Sequence, residues 1–186
     1  MIYRHSWIVG LLPTLLLLTT QAQAVDRDDT LYVDDADLHL ELRPFSISTA
    51  EAFLQGRGFT PEQATAIAKS ACIHKLEIHN KAASNDKPAI TANLNHWSVR
   101  SVAGVHPPIT RDKWHDRLNR DNLSKPARIA FGWALFPTEQ IFWPGDYNWG
   151  LIAFGLKTKT QFTLEIKWQV GQKNREKIIK NLRCSQ

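Results

Sequence analysis

A strict two-residue alternation over Gln161 to Val170 constrains the fold of this chain more than any other feature of its sequence. The apolar residues of the segment occupy every second position: Phe162, Leu164, Ile166, Trp168 and Val170. This period matches the pleat of a strand and not the turn of a helix. One face of the strand then lies against a core and the other faces water, so the segment predicts an antiparallel sheet with one buried face.

Shorter patterns predict further strands. Residues 72–79 alternate so that one face carries Cys72, His74, Leu76 and Ile78. We expect this face to be the inner one and His74 to be a partly buried, hydrogen-bonded core histidine. Residues 127–136 are expected to form a central strand covered on both faces, with large apolar residues on one side and small ones on the other. Weaker candidates are residues 97–102, 152–156 and 178–182.

Two helix-start signals come before these strands. Residues 48–51 read Ser-Thr-Ala-Glu, which is the spacing of a capping box, and two glycines follow at the end of the segment. Residues 60–63 read Thr-Pro-Glu-Gln, which combines a Thr cap, Pro at the first helical position and Gln at the third. These signals predict a helical pair over residues 48–71, ahead of a β-domain over residues 72–186. The acidic residues 25–47 are expected to form an extended N-terminal arm that ends near Pro44.

Taken together, these elements predict an α+β, mainly β fold. The expected architecture is an antiparallel β-sandwich with Ig-like proportions, preceded by the short helical hairpin. The sequence lacks the repeating β-α-β pattern that would indicate a parallel sheet. Residues 48–186 are long enough to form one globular domain with a substantial core.

The first 24 residues have the pattern of a cleaved secretory signal peptide. A basic start at Arg4 precedes an apolar run over residues 8–20 and the cleavage pattern Ala-Gln-Ala at residues 22–24. The run covers about 13 residues, fewer than the roughly 20 needed to span a bilayer. We therefore expect a mature chain that begins near Val25, lies in the periplasm or is secreted, and has no stable membrane insertion.

The chain has two cysteines, Cys72 and Cys184. In an oxidising compartment, an isolated pair in a small domain predicts a structural disulfide. A redox-active pair is the alternative, but catalytic dithiols usually lie close together as C-x-x-C. A disulfide would tie the first core strand to the C-terminal residues, and it would remove both thiols as nucleophiles and as metal ligands.

The charge pattern by itself excludes few classes of function. The formal net charge is +5, with acidic residues concentrated near the predicted mature N-terminus and basic residues over 157–183. The basic region is interpreted as ordinary solvated surface, with a face for an acidic partner as the alternative. Export argues against a nucleic-acid partner.

The sequence lacks the common catalytic and metal-binding motifs, and this favours a protein that is not an enzyme. The sequence contains no G-x-S-x-G, no H-E-x-x-H and no glycine-rich phosphate loop, so we predict no catalytic residues and no resident cofactor. A copper or zinc site is the alternative, assembled across strands from His79, His96, His106 and His115. A copper site with a Met ligand is excluded because the predicted mature chain has no methionine.

Aromatic residues give the strongest indication of a binding surface. Trp143, Tyr147 and Trp149 lie in or beside a Pro-Gly turn, where they either plug the open end of the sandwich or form an exposed platform. Trp114 and Leu118, four residues apart, predict a short helix over the sheet, and Trp114 joins the candidate surface. Trp133 and Trp168 are expected in the core.

These observations favour a non-catalytic periplasmic binding or accessory protein that acts through contacts with another envelope protein. A histidine-based copper or zinc carrier is the first alternative. A carbohydrate-binding module that uses the aromatic turn is the second.

Overall fold

The computed structural model of the protein describes residues 29–120 and 123–185. The predicted signal peptide, residues 1–24, lies outside the described residues. Four α-helices lie within them: α1 Ile47–Gln55, α2 Pro61–Ala71, α3 Arg111–Arg120 and α4 Lys125–Ala134. The strands of the same residues are β1 Leu31–Asp34, β2 Leu38–Pro44, β3 Ile73–Asn80, β4 Ile90–Asn93, β5 Ser98–Ser101, β6 Gly104–His106, β7 Glu139–Phe142, β8 Tyr147–Ala153, β9 Gln161–Val170 and β10 Lys173–Arg183.

The strands form two sheets that face each other. The first has the order β1-β2-β3-β8, and the second has the order β6-β5-β9-β4-β7 with β10 paired to β9. Every strand pair of the two sheets is antiparallel. Buried residues of both sheets form one core cluster, among them Leu40, Leu76, Leu164 and Ile166. The predicted mainly β α+β sandwich is confirmed.

Strand β9 has the bounds that its alternation predicts. Its even-numbered residues from Phe162 to Trp168 are buried, and the residues between them are half-buried or exposed. On one side it pairs with β5 and β4, and on the other with β10. One face of β9 therefore forms the floor of the core along most of its length.

The acidic segment, expected as an extended arm ahead of the globular domain, is a hairpin of the four-stranded sheet. Strand β1 pairs with β2, and β2 pairs with β3 over its whole length. Leu38, Leu40 and Leu42 are buried in the core between the sheets. Three buried leucines at alternate positions provide the apolar face that holds the hairpin in place despite its acidic residues.

The predicted helical pair is present as α1 and α2. The cap of helix α1 is Ser46, two residues before the Ser48 that the capping-box spacing predicted, and the Ser46 hydroxyl accepts a hydrogen bond from the Thr49 amide. Helix α2 begins at the predicted box, where Thr60 Oγ1 accepts from the Gln63 amide and Gln63 Oε1 accepts from the Thr60 amide. The two reciprocal bonds satisfy donors that a helix leaves unpaired at its start.

The prediction of a central strand over residues 127–136 is wrong, because Lys125–Ala134 forms helix α4. Its buried residues Ala127, Phe131 and Ala134 have helical spacing. Ser124 caps the helix and a proline occupies its first turn. Trp133, expected in the core, is 84% exposed because the helix turns it away from the residues that pack.

The predicted disulfide between Cys72 and Cys184 is confirmed, and no described cysteine is free. Cys72 ends helix α2 in the left-handed conformation, with φ of 51°, and Cys184 directly follows β10. The bond joins residues 112 positions apart in the chain and is buried at both ends. It connects the helical layer to the edge strand of the opposite sheet.

Candidate functional site

The outer face of the four-stranded sheet is only half covered. Toward one end, Ile73, Leu151 and Ala153 are buried beneath the helices and share a core cluster with residues of all four of them. Toward the other end, β3 and β8 present Glu77, His79, Tyr147 and Trp149 on the same outer face. Among the described residues, these four do not belong to the core cluster that the helices form with the sheet. The helices therefore leave an open area of sheet.

The strand register brings side chains from all four strands into that open area. One cross-strand row runs from Asp34 through His39 and His79 to Tyr147. The next row runs from Tyr32 through Glu41 and Glu77 to Trp149. Residues directly opposite each other across antiparallel strands share one face and contact one another. We refer to Tyr32, His39, His79, Tyr147 and Trp149 as the aromatic strip.

Ring contacts join two pairs of residues in the aromatic strip. The ring centroids of Tyr32 and His39 are 5.9 Å apart, and those of His79 and Tyr147 are 6.5 Å apart in an edge-to-face arrangement. These separations lie in the range of favourable aromatic pairs. The strip therefore consists of two ring pairs and Trp149, all on the same outer face of the sheet.

Charges of both signs border the aromatic strip. The carboxylate of Asp34 contacts His39 Nδ1 and Lys81 Nζ, each at 2.9 Å, and these hydrogen bonds lower the pKa of Asp34 below its ordinary value. At the other side, Lys75 Nζ lies 2.9 Å from Glu77 Oε2 and 5.8 Å from the centroid of the Trp149 ring. The charged groups are thus paired with each other around the rings.

The aromatic turn is exposed, so the interpretation of its rings as a plug of the sandwich is wrong. Trp143, Tyr147 and Trp149 are 64%, 67% and 51% exposed. Asp146 stabilises the turn: its carboxylate accepts a hydrogen bond from the Trp143 amide, and Gly145 has a positive φ of 81° that suits glycine. Backbone bonds to Asn80 hold the turn against the end of β3. The rings are therefore presented by a fixed backbone.

Trp114, also assigned to the candidate surface from the sequence, is a core residue. The predicted helix exists as α3, but it buries Trp114 and Leu118 against the other helices, and Trp114 is 1% exposed. Its ring meets Phe131 edge-to-face at 5.1 Å. Helical spacing correctly placed both residues on one face, and that face is the inner one.

The histidines proposed for a metal site lie on separate elements. His79 is on β3, His96 ends a single turn after β4, His106 ends β6 and His115 is on α3. His106 Nδ1 lies 3.0 Å from the Pro107 carbonyl oxygen, and His115 Nδ1 lies 3.1 Å from the Asn119 amide nitrogen. Within residues 29–120 and 123–185, no three His, Cys, Asp or Glu side chains are grouped to hold a metal ion. The chelating set proposed from the sequence is not assembled.

His74 lies on the opposite face of β3 from His79, as the alternation predicts. It is 3% exposed and packs against the rings of Phe154 and Phe162. Burial lowers the pKa of His74 to about 4, and the nearby Cys72 backbone opposes this shift only in part. Its Nδ1 has no hydrogen-bond partner within the described chain, so His74 is less well satisfied than we expected.

Tyr32 and His39 belong to the strip, but the sequence patterns did not predict them as part of the candidate surface. The signal that identifies them is the alternation of the buried Val33, Leu38, Leu40 and Leu42, which places the residues between on the outer face. That signal was weak because acidic residues interrupt it.

No helix within residues 29–120 and 123–185 is long and apolar enough to cross a membrane. The sequence matches no family model and no curated protein. Among solved structures, the chain is similar to a DUF4426 family protein from Pseudomonas aeruginosa, with 11% identity over 84% of this chain and 97% of that chain and a TM-score of 0.36. A likeness this weak carries no argument about function.

Proposed function

We propose that this protein is a non-catalytic, exported binding or accessory protein that docks another envelope protein through the aromatic strip. The observation that carries the proposal is the joint exposure of Tyr32, Tyr147 and Trp149 on an area of sheet that the helices leave open. Single exposed apolar residues are common on protein surfaces, whereas several large rings exposed on one face indicate an interaction site.

The composition of the strip suits a protein partner. Tyrosine and tryptophan are enriched at the centres of protein interfaces, where their rings are buried and their polar atoms remain bonded. Glu41 and Glu77 lie between Tyr32 and Trp149 in one cross-strand row, and the paired Asp34 and Lys81 lie at the edge of the strip. This mixture of rings and charged groups suits a transient interface, which is about as polar as the rest of a protein surface.

Export supports an envelope partner. The Cys72–Cys184 disulfide is of the kind that forms and persists in oxidising compartments. The N-terminal pattern of the sequence is typical of a secretory signal peptide. We place the mature protein in the periplasm, or outside the cell, where proteins of the same compartment are its available partners.

A photo-crosslinking amino acid at position 147 tests this proposal in intact cells. The matched control carries the same amino acid at Val102, which is fully exposed between β5 and β6 on the other sheet. We expect a discrete protein adduct from position 147 only, and its loss when Trp149→Ala is added. Equal adducts from both positions, or no adduct from position 147, would contradict docking through the strip.

Carbohydrate binding is a second candidate function. It rests on the Trp149 ring, which has the paired Lys75 and Glu77 beside it. A flat ring next to polar groups suits the stacking of a sugar and hydrogen bonds to its hydroxyls. A glycan array probed with the wild type and with Trp149→Ala tests it: glycan signals that are lost in the variant support this function, and no signal from the wild type removes it.

A further inference from the structure

A second surface lies away from the aromatic strip, in the groove between helices α3 and α4. The groove encloses about 390 Å³. Pockets that bind small molecules commonly have volumes of roughly 300 to 1,000 Å³. We call it the cationic groove, for the residues along its edges.

The floor of the cationic groove is apolar. It is formed by the buried side chains of Trp114, Leu118, Phe131 and Leu135.

The edges of the groove carry cations. Arg111, Lys125 and Arg128 line it, and none of the described lining residues has a carboxylate. The guanidinium of Arg111 donates a hydrogen bond to the Leu135 carbonyl at 3.0 Å, which holds that charge at the groove. The acidic residues of α3, Asp112 and Asp116, do not line the groove. The electrostatic potential of the groove therefore favours the binding of an anion.

The shape of the groove depends on a glycine inside a helix. Gly132 lies within α4 and lines the groove, and a Cβ built on it would meet no atom within 4 Å. Glycine is unfavourable in a helix relative to alanine. The missing side chain leaves open space above the apolar floor. Ile129 and Trp133, which are 50% and 84% exposed, extend the apolar surface beyond it.

We propose that the cationic groove binds a free fatty acid, with its chain along the apolar floor and its carboxylate at Lys125 and Arg128. The charge of the edges matches a carboxylate, and the recessed apolar floor suits a single chain. This inference goes beyond the docking role of the strip, because the two surfaces share no residue.

Calorimetric titration of the mature protein with laurate, below the concentration at which laurate forms micelles, tests the proposal. We expect saturable binding of laurate. Dodecyltrimethylammonium, which has the same chain with the opposite charge, should bind at least about tenfold more weakly. Acetate, which has the carboxylate without the chain, should give no measurable binding. Equal binding of laurate and dodecyltrimethylammonium, or no binding of laurate, would overturn the proposal.

Two pairs of variants locate the site. Gly132→Leu fills the groove and should abolish laurate binding, whereas Gly132→Ala should retain most of it. Lys125→Glu with Arg128→Glu should weaken binding by about tenfold or more, whereas the same charge change at Lys173 and Arg175 on β10 should leave it unchanged. Thermal unfolding checks that each variant is folded. If both charge-reversed pairs lose binding equally, net charge and not the groove attracts laurate, and the proposal is wrong.

Vesicles of phosphatidylglycerol separate a free fatty acid from a membrane surface. We expect the wild type to bind laurate in solution and to remain unbound when these vesicles are sedimented. Sedimentation with vesicles that depends on Lys125 and Arg128, together with no binding of free laurate, would assign the groove to a membrane surface and overturn the proposal.

Discussion

The two halves of the outer face of the four-stranded sheet consist of the same strands, but their side chains differ in burial. In the covered half, β3 and β8 contribute Ile73, Leu151 and Ala153 to a cluster beneath the helices. In the open half, the same two strands contribute His79, Tyr147 and Trp149, and the rings remain accessible.

The difference shows that strand alternation determines which side chains share a face, while the neighbouring layer determines which of them are buried. The covered half stabilises the fold through apolar area removed from water. The open half has rings of comparable size that contribute little to folding and are available for binding. Substitutions in the two halves should therefore affect different measurements.

The largest effect on stability is expected in the covering layer. Trp114→Ala removes a buried ring that packs against Phe131, and it should lower the free energy of unfolding by about 3 to 5 kcal/mol. Urea denaturation followed by circular dichroism measures this change. A loss below about 1 kcal/mol would mean that the helices pack on the sheet much more loosely than described.

Acid should act through the inner face of β3. The pKa of His74 is lowered to about 4 in the folded protein, against about 6.5 in the unfolded chain. The neutral imidazole therefore stabilises the fold fully above pH 6.5, and this contribution, on the order of 3 kcal/mol, is lost as the pH falls from 6.5 to 4.

The measurement is the free energy of unfolding between pH 7 and pH 4 for the wild type, His74→Leu and His79→Leu. We expect a flatter pH dependence in His74→Leu and the wild-type slope in His79→Leu, since His79 lies on the outer face. The same slope in all three proteins would exclude His74 as the acid-sensitive group.

A smaller effect of opposite sign is expected in the helix that borders the groove. Gly132→Ala should raise the free energy of unfolding by about 0.5 to 1 kcal/mol, because alanine favours the helix and its Cβ meets no neighbour. Gly145→Ala is the control: its φ of 81° disfavours alanine, so this variant should lose stability. A loss of stability in Gly132→Ala would show that α4 is not helical at this position.

The smallest effect is expected in the open half. Trp149→Ala should change the free energy of unfolding by no more than about 0.5 kcal/mol, because half of its ring is already exposed. The same variant should remove the crosslinked adduct from position 147. A large loss of stability would instead assign Trp149 a structural role and weaken the contrast between the two halves.

The elements that could be predicted from the sequence are those whose local signal fits only one class of secondary structure. The alternation of β9 and the capping box at Thr60 are of this kind, since each is incompatible with the other class of element. Helix α4 could not be separated from a strand by periodicity, because its apolar residues fit both periods over ten residues. Ser124 with Pro126 was the deciding signal, and it marks the first turn of a helix.

The candidate sites were harder to predict than the elements. Trp133 and Trp114 both line the groove between α3 and α4, yet one ring is exposed and the other is buried, and only the packing of the two helices decides which. Likewise, the joining of Tyr32 and His39 to His79 and Tyr147 depends on strand order, which the sequence alone does not supply. Residue type and spacing identified Tyr147 and Trp149, and the strand register added Tyr32, His39 and His79.

The disulfide has a consequence for β10, a long and largely exposed edge strand. Strand β10 is an edge strand with only Ile179 buried, and such strands can detach and pair with a second copy of the chain. A tight turn ties one end of β10 to β9, and the Cys72–Cys184 bond ties the other end to the start of β3. A strand tethered at both ends cannot be exchanged between copies unless the bond is reduced, so oxidation protects this edge against domain swapping.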